Sequence, residues 1–141
     1  MTFLQNAPLP NRGILKVSGD DTVTFLQGLV SNDVSNVADD RAVYAALLTP
    51  QGKFLFDFFL YGQDGSILME TERHRMTELT KKLSVYKLRS RVELKDISDA
   101  WSVTAIWGPE ASAACGLSGA LGTAVAWQGG LAAIDPRLAE A

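Results

Sequence analysis

From Arg41 to Gly62 the chain reads RAVYAALLTPQGKFLFDFFLYG, two apolar runs around Thr49-Pro50-Gln51-Gly52. Pro50 presets φ for the second position of a type I turn, and Gly52 tolerates the left-handed residue that closes a bulged hairpin. Alternation in the second run sends Phe54, Phe56, Phe58 and Leu60 to one face and Leu55, Phe59 and Tyr61 to the other. A strand apolar on both faces belongs at the centre of a sheet. Around this hairpin the pattern predicts an extended lead-in over 2–10 and a strand from Gly13 to Val17. A helix from Asp21 to Val30 follows, capped from Ser18-Gly19-Asp20-Asp21, with Gly28 admitting another backbone. After the hairpin come a strand from Ser66 to Thr71 and a helix from Glu72 to Tyr86 with Met76, Leu79, Leu83 and Tyr86 on one stripe. Strands are expected over 91–97, 101–107, 123–127 and 131–134. A short helix starts at Gly108-Pro109-Glu110 and stops at Gly116. Hairpins alternating with helices give an α+β class, an antiparallel sheet with covering helices.

One residue breaks the apolar strand. Asp57 shares a face with Leu55 and Phe59, and a carboxylate there is costly unless something donates to it. Two readings are open. The acid bonds backbone amides or an arginine, or it faces a cavity and accepts from a ligand's N–H groups. On the partner strand, Ala42, Tyr44, Ala45 and Ala46 set small side chains beside one aromatic. That suits close packing, or a flat ligand against Tyr44.

Composition narrows the class. The 141 residues are 47% hydrophobic and 21% charged, enough for a single core, and no apolar run nears membrane-spanning length. The first ten residues show no leader pattern, which gives a cytoplasmic expectation. One cysteine, Cys115, excludes an internal disulfide or a multi-cysteine metal site within this chain, and is expected to be a buried structural thiol. The single histidine, His74, stands among charges and reads as solvated. No metal is expected.

Net charge is −3, yet eight of the 13 Lys and Arg fall between Arg73 and Lys95. That window is a solvated helix face with pairs such as Glu78–Lys82, or a patch for an anionic tail or acidic partner. Nucleic acid fits poorly with an acidic chain that has no basic–aromatic stripe. No phosphate loop, nucleophile elbow or triad is present. The residues alone give an α+β domain with one exceptional acid, and no reaction.

Four stretches resemble the folate-binding YgfZ-type proteins, relatives of the glycine-cleavage T-protein (aminomethyltransferase) that include mitochondrial iron–sulfur assembly factors. They are VSGDDTVTFLQGLVSNDV (17–34), AVYAALLTPQGKFLFDFFLY (42–61), YKLRSRVELKDIS (86–98) and DPRL (135–138). The resemblance implies a tetrahydrofolate-binding protein that supports iron–sulfur enzymes, with assembly proteins or client enzymes as partners. By position, Asp57 matches the second acid of the family's Asp-Asp pair and Tyr44 an aromatic near the folate. Asn32 and Asp33 match an Asn-Asp after the first helix, and Glu70 an Asn that binds the pterin. Phe56 replaces the pair's first acid, which argues against aminomethyl transfer, so no catalytic residue is carried over. The Lys-Gly-Cys-Tyr signature of the YgfZ branch is absent, and family members are about twice this long. The chain is therefore expected to be the N-terminal portion over 1–141, with a sub-boundary near 98–116 and a further C-terminal domain as its natural partner. The other readings are a folate-dependent one-carbon transferase and a ligand-free interaction domain.

Overall fold

The computed structural model describes residues 5–108, 110–117 and 120–137. Pro109 at the third helix and Leu138 of the closing motif lie outside these residues. The strands are β1 (Gln5–Pro8), β2 (Arg12–Ser18), β3 (Val43–Leu48), β4 (Phe54–Gln63), β5 (Ser66–Glu72), β6 (Glu93–Asp96), β7 (Thr104–Trp107), β8 (Ala124–Trp127) and β9 (Gly130–Ala133). The helices are α1 (Thr22–Gln27), α2 (Met76–Lys87) and α3 (Ala111–Ala114). A five-stranded antiparallel sheet runs β3-β4-β5-β2-β6, and two ribbons, β1-β7 and β8-β9, accompany it. This is the expected α+β class.

The hairpin forms as its sequence dictates. Gly52 sits at φ +85°. Its N–H donates to the Thr49 carbonyl at 2.9 Å, and the Thr49 N–H donates to the Lys53 carbonyl at 2.7 Å. Phe56, Phe58 and Leu60 point inward at 3%, 0% and 0% exposure. They join Phe25 and Leu26 of α1 and Met76, Leu79 and Leu83 of α2 in one core. Each such side chain contributes roughly 1.5–3 kcal/mol by leaving water.

Two expectations about β4 are corrected. Phe54 is 60% exposed, because the register slips between Leu47 and Leu48 and Phe54 leaves the inner row. The strand also lies second in the sheet, with β5 at the centre, and its outer residues are half-buried.

The ends of the helices differ from expectation for identifiable reasons. Asp21 does not cap α1 with its side chain. Its carboxylate instead accepts from the Arg91 backbone N–H at 2.7 Å, and that bond holds its pKa below the ordinary carboxylate range. Gly19, at φ +115°, sits so close that a Cβ would meet the Arg91 carbonyl oxygen at 2.3 Å. Together they dock the approach to β6 beside β2. Gly28 ends α1 but has no foreign backbone against it. Helix α2 starts only at Met76, after a 3-10 turn over Arg73–Arg75. Within the lead-in, Gln5–Pro8 is a true strand paired to β7, and residues 2–4 lie outside the described residues.

Gly62 of β4, like Gly19, admits another backbone: a Cβ there would stand 2.6 Å from the Ala38 carbonyl carbon. Gly62→Ala is expected to cost about 1–3 kcal/mol in urea unfolding. Gly28→Ala has open space and should be neutral or stabilising by about 0.5–1 kcal/mol.

Candidate functional site

Helices α1 and α2 cover one face of the sheet. The other face carries a row set by the register: Tyr44 opposite Phe59, Phe59 opposite Glu70, and Glu70 opposite Ile14. Asp57 and Tyr61 stand two residues to either side of Phe59 on the same face. The Tyr44 and Phe59 rings tilt together at 5.3 Å, and those of Phe59 and Tyr61 stack at 6.4 Å.

Two acids are held in this aromatic surface. Asp57 accepts a short hydrogen bond from the Tyr44 hydroxyl. That bond, with burial and the Asp57 charge, raises the Tyr44 pKa above its ordinary value. Glu70, 5% exposed, accepts from the Tyr61 hydroxyl at 2.7 Å and from Arg12 Nε at 2.7 Å. Burial first, and then the Glu70 charge, push Tyr61 well above the phenol range. A carboxylate so enclosed is tolerable because both of its oxygens have donors.

A second guanidinium comes from the C-terminal segment. Arg137 lies 4.8 Å from the Phe59 ring centre and 5.7 Å from that of Tyr44. It is bidentate to Asp135, through Nε to Oδ1 at 2.9 Å and Nη2 to Oδ2 at 2.6 Å. This bond holds Asp135 below, and Arg137 above, their ordinary pKa values.

Beside the row opens a cleft of about 900 Å³. Ile14, Tyr61, Leu68 and Glu70 form its sheet side, and Trp101, Trp127, Leu131 and Asp135 stand opposite. The ribbon β8-β9 is tied to the start of β3 by the Ala42 N–H, which donates to the Gly122 carbonyl at 2.6 Å. Cys115 is buried in the cleft wall, at the end of α3.

The structure thus brings together Tyr44 and Asp57, with Glu70 on the other side of Phe59. Asn32 is elsewhere: its amide donates to the Tyr44 backbone carbonyl at 2.9 Å and braces the edge of β3. Asp33 caps the turn over Val34–Asn36 through Ser35. Phe56 faces the helices, on the opposite side of the sheet from Asp57, with Arg75 over its ring. None of the basic residues from Arg73 to Lys95 lines the cleft. Arg73 pairs with Asp99, Arg75 with Glu78, and Arg91 with Asp20 and Asp21. The cations at the site are Arg12 and Arg137. Sequence reasoning missed both, along with the polar role of Tyr61. Only the shared parity of residues 57, 59 and 61 could have pointed to Tyr61. Among the described residues no group of three His, Cys, Asp or Glu is placed to hold a metal ion, and no helix is long and apolar enough to cross a membrane.

Residues 11–116 match the family described as the GCVT N-terminal domain. The chain belongs to this family. Its relatives include proteins named "Iron-sulfur cluster assembly factor IBA57 homolog, mitochondrial". That of Mycosarcoma maydis is 38% identical over 120 residues, which are 76% of this chain and 30% of the relative. That of Neosartorya fischeri is 34% identical over 110 residues, 66% of this chain and 25% of the relative. The chain therefore spans about a quarter to a third of their length. The glycine cleavage system aminomethyltransferase T from Bartonella henselae shares the fold, with TM-score 0.74 and 16% identity over 89% of this chain and 36% of that one. The relatives' names overturn the cytoplasmic expectation and point to the mitochondrion. The absence of a leader pattern in the first ten residues was weak ground for that expectation.

The outer face of this GCVT N-terminal domain is stabilised by its phenols and by Arg12. Arg12→Met is expected to cost about 2–4 kcal/mol, because Glu70 is left buried with one donor fewer. Adding Glu70→Gln should recover part of that loss, as denaturant titration of the double variant would show. The neutral phenols contribute stability that is complete below the ordinary value of 10.0. It is lost as pH rises through the raised folded-state values. Tyrosinate absorbance should therefore show late ionisation of Tyr44, brought to lower pH by Asp57→Asn.

Proposed function

We infer that this chain is the folate-facing part of an accessory protein for iron–sulfur cluster assembly, of the YgfZ type, acting without turnover of its own. The observation that carries the reading is the Asp57 carboxylate, held by the Tyr44 hydroxyl beside the Phe59 ring, in a row whose other members Tyr61 and Glu70 line a large cleft. These groups fit tetrahydrofolate. A pterin presents a flat ring and an edge of N–H donors, which suit an aromatic surface and an acceptor-only carboxylate. The cleft volume is within the usual range for a small-molecule site. The rest of the ligand would lie along the cleft past Tyr61 and Glu70, with Arg12, bound to Glu70, supplying positive charge toward an anionic tail. Phe56 speaks against aminomethyl transfer, since no acid stands at that position. The names of the relatives support the iron–sulfur role and a mitochondrial setting; assembly proteins or client enzymes would be its partners.

Calorimetric titration with tetrahydrofolate tests the reading. Asp57→Asn should weaken binding roughly 10- to 100-fold, the effect of losing a hydrogen bond to a charged group. Equal affinity for the two proteins would remove Asp57 from the site. Methylene-tetrahydrofolate formed from an aminomethyl donor would favour a transferase instead.

A further inference from the structure

The aromatic row is already covered. The Arg137 guanidinium lies 4.8 Å from the Phe59 ring centre, and a flat ligand stacked on that ring needs the same layer of space. The covering group has a definite chemistry. It is a planar carbon bearing three nitrogens, positively charged and rich in N–H donors. Around it stand the Phe59 and Tyr44 rings and the Asp135 carboxylate, with the Asp57 charge also acting on it.

We propose that Arg137 is a built-in occupant of this face, and that the ligand group which replaces it is another flat N–C(N)–N unit, such as a 2-aminopyrimidine edge or a guanidinium. The proposal rests on the folate reading for the identity of the whole ligand, but not for the class of group recognised. Displacement is inexpensive because Arg137 takes its main partner with it. Asp135 is two residues away and holds the guanidinium through both oxygens, so the pair can leave the rings without being broken. The stacking on Phe59 and Tyr44 and the attraction to the Asp57 charge are given up, and an incoming flat group bearing N–H donors restores both. The Arg137 side chain is half exposed, so its loss leaves the core intact.

The test pairs the unaltered chain with Arg137→Ala. Tetrahydrofolate affinity by calorimetry should rise about two- to tenfold in the variant, the effect of removing a competing cation–π contact. Methylguanidinium, followed by NMR shifts of the Tyr44 and Phe59 rings, should perturb them more in Arg137→Ala than in the unaltered chain. Weaker folate binding in the variant would overturn the proposal, because Arg137 would then be a clamp on the ligand. Ring signals unmoved by methylguanidinium in the variant would overturn it as well. If methylguanidinium binds the variant while tetrahydrofolate binds neither protein, the occupant role stands and the folate reading fails.

Discussion

A carboxylate set among aromatic rings needs a donor that does not itself bring a large desolvation cost, and a phenol is such a donor. The outer face uses this solution twice. Tyr44 on β3 donates to Asp57 on β4, and Tyr61 on β4 donates to Glu70 on β5. In both cases the acid lies diagonally across from its tyrosine, two residues from the directly paired position. The repetition fixes the orientation of the rings and keeps two negative charges on a surface that would otherwise be apolar. The arginines then act on an arrangement already in place. Arg12 completes Glu70, and Arg137 lies across Phe59.

The same strand alternation separates folding from recognition. Phe56, Phe58 and Leu60 are committed to the helix-covered core, while Asp57, Phe59 and Tyr61 are turned the other way. Substitutions on the outer face therefore leave the packing against α1 and α2 largely intact. The division also explains why Phe56 and Asp57, neighbours in sequence, belong to different environments.

How much of this was legible depended on range. The parity of β4, the Thr49–Gly52 turn and the Met76, Leu79 and Leu83 stripe of α2 rest on neighbouring residues and are readable, whereas Tyr86, expected on the same stripe, is 38% exposed. Phe54 was misplaced because a one-residue irregularity opposite Leu48 leaves no mark in an apolar run. The run Ser18-Gly19-Asp20-Asp21 suits a cap locally, yet the Asp21 carboxylate is drawn to Arg91, 70 residues away. The candidate site shows the same limit. Asp57 stood out by polarity in a greasy strand, and Tyr44 by its place on the partner strand. Arg12 and Arg137 carry no local sign of their roles. Each becomes part of the site only when the sheet register and the C-terminal segment bring it to Glu70 or Phe59.

Strand β2 has one neighbour, β5, that is made midway through the chain, and another, β6, that is made much later; Leu15 faces Met69 on one side and Asp96 on the other. Strand β1 waits longer still, since Gln5 pairs with Trp107. A chain growing from its N-terminus therefore carries its first strands with open edges until about residue 107 has been made. Contacts this distant in sequence make for slow assembly. An apolar strand waiting unpaired is also open to pairing with other chains, so exposure to aggregation is greatest before β6 and β7 are made.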